Sequence, residues 1–433
     1  MKKITIFINS HNDTDNILPF IDYLLLNGKS EVVLCYTRLS DLNTCKDHVS
    51  YLKDTYNLIP IEYDRDFSER YRVFMKFYLR VVKFSGRAKE NSFFIPFKIF
   101  LSRLKLLALY LTEREVNKNS ENLDVDVIMI DQGKELGFYG SAIVKYAKNK
   151  NTAVVGYAHG SSIYTNIDPL QKDKIKLTPI KEILLRLSKP RIKRRYCDRY
   201  VGGTGQKKSY FSTSMMPNYE EKYLDRVYEI GSIRYTYEWI SKYRRSVVKR
   251  NSFAYGSKEK MNVVLFITHP KYNVYVDDLI ATMNALSLCD SINFVYKPHT
   301  RNGLNRIDVK KNNGGYDAAN ISSIELSSWA DVGIVYGSSI SFQLVMDNVP
   351  IIMPKYLHGN TTIFEDNNAC ILVNNLSSLM SLMQCSIKEL SNMTKQEKNK
   401  EFIEYHVYGN KSYVGLMDDF YDSVFNDTTI IRV

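Results

Sequence analysis

Residues 329–353 read WADVGIVYGSSISFQLVMDNVPIIM. Two short apolar runs, at 332–335 and 349–353, flank a segment whose apolar residues fall at helical spacing. Short apolar strands alternating with helices are the pattern of a parallel sheet covered on both faces. Between the first run and the helix stand Tyr336, Gly337, Ser338 and Ser339. The spacing predicts a helix over Ile340–Met346, so two hydroxyls and the N–H groups of a helix opening follow a strand end. That combination attracts anions. Plain N-capping by serine would account for the same pair, so its meaning depends on its neighbours.

The same rhythm extends outward in both directions. MNVVLFITHP (261–270), SINFVYKPHTR (291–301), a shorter strand near AANISSI (318–324), VPIIMPKY (349–356) and ACILVNN (369–375) complete the second half. The first half has KITIFIN (3–9), EVVLCYT (31–37), LIPIEYD (58–64), DVDVIMID (124–131), TAVVGYAHGSS (152–162), RYVGGTG (199–205) and RVYEIGSIR (226–234). Residues 67–115 read as helix broken at Gly86 and Pro96, and the last 35 or so residues also read as helix. The expected class is α/β: two Rossmann-like domains with parallel sheets, at 1–240 and 261–400. A linker at 241–260 and C-terminal helices at 401–433 complete the expected organisation.

The 433-residue length suits two domains, and 44% hydrophobic with 24% charged residues excludes a disordered chain. No apolar run approaches the ~20 residues of a membrane span. The opening MKKITIFIN is too short in its apolar part for a secretory leader and reads as a buried strand. A cytoplasmic protein is expected. Six cysteines without a CxxC pair predict free thiols and no metal site.

The net charge of +12 is unevenly spread. Residues 70–105 hold ten Lys/Arg against one acid, and 171–200 hold eleven against three. Both mix cations with Leu, Phe and Tyr, as interfacial segments do, so an anionic membrane surface is the expected partner. An ordinary solvated helix face is the bland alternative. Nucleic-acid binding is not expected, because no nucleic-acid motif appears.

In open α/β sheets, ligands sit beyond the carboxyl ends of strands. Four ends carry chemistry. Lys297, His299 and Arg301 follow one strand and suit a phosphate or base edge. Gly337, Ser338 and Ser339 follow another. Asp131 ends the most apolar strand of the first half and is a general-base candidate, or a helix cap. His159, before Gly160, Ser161 and Ser162, is a second base candidate, or a loop histidine. Weaker signals are NSHND (9–13), with His11 and Asp13 as acceptor contacts beside Ser161, and THPKY (268–272) as a loop lining the donor side.

The KPH segment followed by the 329–353 stretch resembles the donor half of bacterial GT-B glycosyltransferases. Within these, the chain resembles capsule Kdo transferases, bacterial sialyltransferases and CDP-glycerol glycerophosphotransferases. His159-Gly160 looks like the HG segment of the last group, and Asp131–Gly133 like the acidic-acidic-Gly motif of the sialyltransferases, with Gln132 replacing an acid. The resemblance covers about residues 124–375 and rests on motifs. It implies a GT-B fold with the C-terminal helix returning to the first domain, and a metal-independent transfer without cofactor. It places His299, Ser338 and Ser339 on a nucleotide-sugar donor, with Lys297 nearby; Thr300 stands where the sialyltransferase pattern has Pro. The function expected is a glycosyltransferase, CMP-sugar favoured, building capsular or O-antigen polysaccharide on a lipid-linked or oligosaccharide acceptor. A CDP-glycerol or CDP-ribitol polyol-phosphate transferase and a sugar-nucleotide 2-epimerase are the alternatives. Asp131 or His159 is the expected base.

Overall fold

The computed structural model describes residues 1–87, 95–135, 137–161, 163–166, 195–205, 207, 221–247, 253–299, 315–394 and 396–425. The chain forms two compact units. The first comprises 1–159, 173–201 and 420–433, the second 160–172 and 202–419. The expected linker at 241–260 therefore falls inside the second unit. The final helix, Tyr413–Phe425, contributes its end, from Phe420 onward, to the first unit. There Phe20 and Phe420 rings lie 4.5 Å apart, and the Arg199 guanidinium donates to the Ser423 carbonyl at 3.0 Å.

The first sheet is built on β1 (Lys2–Phe7), β2 (Ser30–Tyr36), β3 (Ile61–Glu62), β4 (Val127–Asp131), β5 (Ala153–Tyr157), β6 (Arg199–Gly202) and β7 (Val227–Glu229). Its spatial order is β3-β2-β1-β4-β5-β6-β7, with parallel pairing from β3 through β6. Ile4, Thr5 and Ile6 are all fully buried, so helices cover both faces of β1. The chain leaves β1 toward β2 and β3, then returns to place β4 on the other side of β1. That reversal opens a crevice at the carboxyl ends of β1 and β4.

The second sheet repeats the plan. β8 (Met261–Phe266), β9 (Ile292–Lys297), β10 (Tyr316–Asp317), β11 (Val332–Val335), β12 (Ile351–Pro354) and β13 (Ile371–Val373) stand in the order β10-β9-β8-β11-β12-β13, all parallel. Val263 and Leu265 enter one apolar cluster, Val264 and Phe266 the other. The period-2 alternation of a strand thus feeds a core on each face. Here the reversal lies between β8 and β11.

The shorter strand expected near AANISSI is the two residues just before it, Tyr316–Asp317, and within the segment Ser322 caps a helix, Ser323–Trp329. Ser322 accepts from the Glu325 N–H while Glu325 reaches back to the Ser322 N–H, a capping box that satisfies two otherwise orphaned donors. The basic stretch at 70–105 folds largely as helices Glu69–Arg87 and Ile95–Lys118, as the periodicity predicts. Residues 171–194 of the second basic stretch lie outside the described residues.

Candidate active site

In the first unit, the crevice between β1 and β4 collects the reactive side chains. Asp131 is the last residue of β4 and His159 stands two residues beyond β5. His159 Nδ1 lies 2.8 Å from Asp131 Oδ2. The other carboxylate oxygen, Oδ1, accepts from the Gly133 N–H at 2.8 Å. Asp131 is therefore both a cap for the turn Gln132–Lys134 and the partner of a histidine. Its side chain is 1% exposed and that of His159 is 20% exposed, so the imidazole is the reachable member.

Asp13, in the first turn of helix His11–Leu26, joins them. It is fully buried and accepts from the Asn9 N–H at 2.6 Å and from the Ser10 hydroxyl. Burial, and then the nearby Asp131 carboxylate, push its pKa above the ordinary aspartate value. Oxygens of Asp13 and Asp131 and a ring nitrogen of His159 lie within 4.8 Å of one another, close enough to share a proton or a divalent cation. Asn9 also lines a cavity of about 260 Å³ with Phe7, Ile130, Lys134, Phe138 and Tyr139. Of the three expected acceptor contacts, the structure brings Asp13 to Asp131 and His159. His11 turns toward His48, and Ser161 belongs to the second unit.

In the second unit, Gly337, Ser338 and Ser339 follow β11 at the second reversal, as the sequence predicts, and helix Ile340–Met346 begins next. The Ser339 side chain makes no capping hydrogen bond. Gly337 has φ +67°, and a Cβ there would run into the Tyr164 hydroxyl, which donates to the Gly337 carbonyl at 2.9 Å. Both the turn and this close approach require glycine. The end of β8 is tied to the same turn: the Thr268 hydroxyl donates to the Tyr336 carbonyl at 2.5 Å.

His269 and His299 rings meet edge-on, 5.8 Å apart. His269 Nδ1 accepts from the Lys271 N–H at 3.0 Å, which fixes Nε2 as the protonated nitrogen. His269 was legible only as part of the THPKY loop, and Tyr164 carried no signal of its own. Lys297 is turned away from this work. Its ammonium donates to the carbonyls of Ala318, Ala319 and Ile321 at 3.1, 2.8 and 2.5 Å, and burial lowers its pKa to about 8. All three donors are used inside the domain. Arg301 and Thr300 lie outside the described residues.

No protein-family model matches the chain, and no curated protein matches it in sequence. Solved structures do resemble it. The UDP-GlcNAc 2-epimerase of Neisseria meningitidis, bound to UDP-GlcNAc, superposes with a TM-score of 0.52 at 10% identity, covering 99% of this chain and 100% of that one. The glycotransferase of kitacinnamycin superposes with a TM-score of 0.51 at 11% identity, covering 98% and 99%. The chain has the GT-B fold. At these identities the likeness is one of fold, and it extends over nearly the full length of all three chains. In this GT-B protein, no helix among the described residues is long and apolar enough to cross a membrane.

Proposed function

We propose that this protein is a nucleotide-sugar-dependent glycosyltransferase in which His159 is the general base and Asp131 orients it. The observation that carries this reading is the Asp131–His159 pair at the carboxyl ends of β4 and β5. With Nδ1 donating to Asp131, His159 Nε2 takes the proton of an acceptor hydroxyl. The hydroxyl oxygen forms the new bond to the sugar's anomeric carbon. The bond from that carbon to the nucleotide phosphate breaks, and the phosphate leaves with the electron pair. Buried Asp131 stabilises the imidazolium that results. Hydroxyls of Ser338 and Ser339, with His299, hold the leaving phosphate; fixed dipoles suit a charge that develops during reaction. In this reading the transfer step uses no resident cofactor and no catalytic metal.

A CMP-sugar is the favoured donor, on the KPH and Ser-pair resemblance. The product is a capsular or O-antigen polysaccharide, on a lipid-linked or oligosaccharide acceptor. Exposed Val73 and Phe77 beside Arg70, Lys76 and Arg80 support a cytoplasmic enzyme resting on an anionic membrane surface. A second reading is a sugar-nucleotide 2-epimerase. The placement of buried Asp13 beside Asp131 and His159 favours it, since epimerisation needs groups that both remove and return a proton. Donor binding by a panel of CMP-, CDP- and UDP-compounds, read as thermal shift, tests the donor side. His299→Ala and Ser339→Ala are expected to weaken the shift; undiminished shifts contradict the assignment. Product analysis with and without acceptor separates transfer from epimerisation.

A further inference from the structure

Helix His11–Leu26 carries three titratable side chains in its opening turns. Asp13 turns toward Asp131. His11 and Asp15, four residues apart, lie one above the other on a different face. They meet His48 of helix Lys46–Tyr56. His48 Nε2 is 3.2 Å from Asp15 Oδ1, and the His11 and His48 rings approach edge-on at 4.9 Å. One ligand atom from each of the three residues falls within 4.8 Å of the other two. Asp15 and His48 are each 1% exposed, while His11 is half-buried at the rim.

We propose that His11, Asp15 and His48 form a binding site for a divalent transition-metal ion of the zinc class. Two imidazoles and one carboxylate are a borderline-soft donor set, which suits zinc over magnesium or calcium. Tetrahedral bonds of about 2.0–2.1 Å put ligand atoms roughly 3.3 Å apart. The Asp15–His48 pair already has that separation, and the half-exposed His11 ring supplies the remaining movement. Three protein ligands leave a fourth position for water on the His11 side. A buried carboxylate is costly unless its charge is compensated, and a divalent ion compensates it fully. The Thr44 hydroxyl accepts from the His11 N–H at 3.1 Å and fixes where the helix begins. Bound metal would clamp that start and so hold Asp13 in place. The site is independent of the transferase reading.

The test is metal uptake by the full chain after stripping with chelator. Titrated with Zn²⁺ or, in a separate metal-free sample, with Co²⁺, the wild type is expected to take one equivalent per chain. It should show the visible cobalt absorption of a four- or five-coordinate site, and its melting temperature should rise. His11→Ala, at the rim, is expected to fold, to lose the cobalt band and to weaken uptake by more than the roughly 10–100-fold that loss of an outer-shell partner costs. His11→Cys should restore uptake, and Asp131→Asn should leave it unchanged. No uptake at micromolar zinc overturns the proposal, as does uptake unaffected by His11→Ala. Loss in Asp131→Asn overturns it too, because the ion would then sit with Asp13, Asp131 and His159.

Discussion

His159 Nδ1 and Asp131 Oδ2 lie 2.8 Å apart, joining residues that follow two neighbouring parallel strands. A carboxylate partner places the proton on Nδ1 and leaves Nε2 as the basic nitrogen. If the two side chains act as one unit, their removal is not additive. Asp131→Asn, which keeps shape but favours the wrong tautomer, is expected to lower kcat about 10²–10⁴-fold with donor KM nearly unchanged. His159→Ala is expected to fall in the same range, and the double variant no further. Steady-state kinetics of the three variants check this, and multiplied effects would show two separate roles.

The serines of the second unit allow a contrast between ligand and cap. Ser339 makes no capping bond, whereas Ser322 caps its helix with Glu325. Ser322→Ala is expected to cost about 1 kcal/mol in denaturant unfolding, the usual worth of a cap. Ser339→Ala is expected to leave stability nearly unchanged and to weaken donor binding. A stability loss in Ser339→Ala without a binding loss would make it a structural residue.

Gly337 supports the same turn. With φ at +67°, alanine there costs about 1–2 kcal/mol in strain and also meets the Tyr164 hydroxyl. Gly337→Ala is expected to lower the melting temperature and raise donor KM. Tyr164→Phe in the same chain should recover part of the loss by removing the clashing oxygen.

How much of this was legible follows physical lines. The strand ends were readable because buried parallel strands are short apolar runs and the polar residue that ends each one is conspicuous. Asp131, His159 and the Gly337–Ser339 turn were found that way. Strand order was not readable: only the return of β4 to the side of β1 brings Asp13 to Asp131. The strand near AANISSI is only Tyr316–Asp317, too short to show an alternation, and the Ser322–Glu325 capping spacing opens the helix behind it. Lys297 reads as a cation beside His299, but no local pattern reveals that its ammonium is spent on three buried carbonyls. His11 reads as a partner of Asp13, yet a two-residue separation on a helix sends their side chains to different faces.

His358 gives a pH dependence of stability. It is 2% exposed, its ring nitrogens have no hydrogen-bond partner among the described residues, and burial lowers its pKa to about 4. Between pH 6.5 and 4 the unfolded chain binds a proton that the folded chain refuses. Stability therefore falls as the pH drops through that window, by up to about 3 kcal/mol from this group. His358→Phe, which keeps a ring against Tyr336, is expected to flatten that part of the curve in urea unfolding between pH 7.5 and 4. An unchanged slope would show that His358 is not its source.

The most direct measurement is acceptor-dependent nucleotide release from CMP-, CDP- and UDP-activated sugars by the purified chain, wild type against His159→Ala. The expected result is release with at least one donor class, falling about 10²–10⁴-fold in kcat in the variant while donor binding persists. Full turnover by His159→Ala, or no binding and no release with any donor, would contradict the assignment of His159 as the base of a nucleotide-sugar transferase.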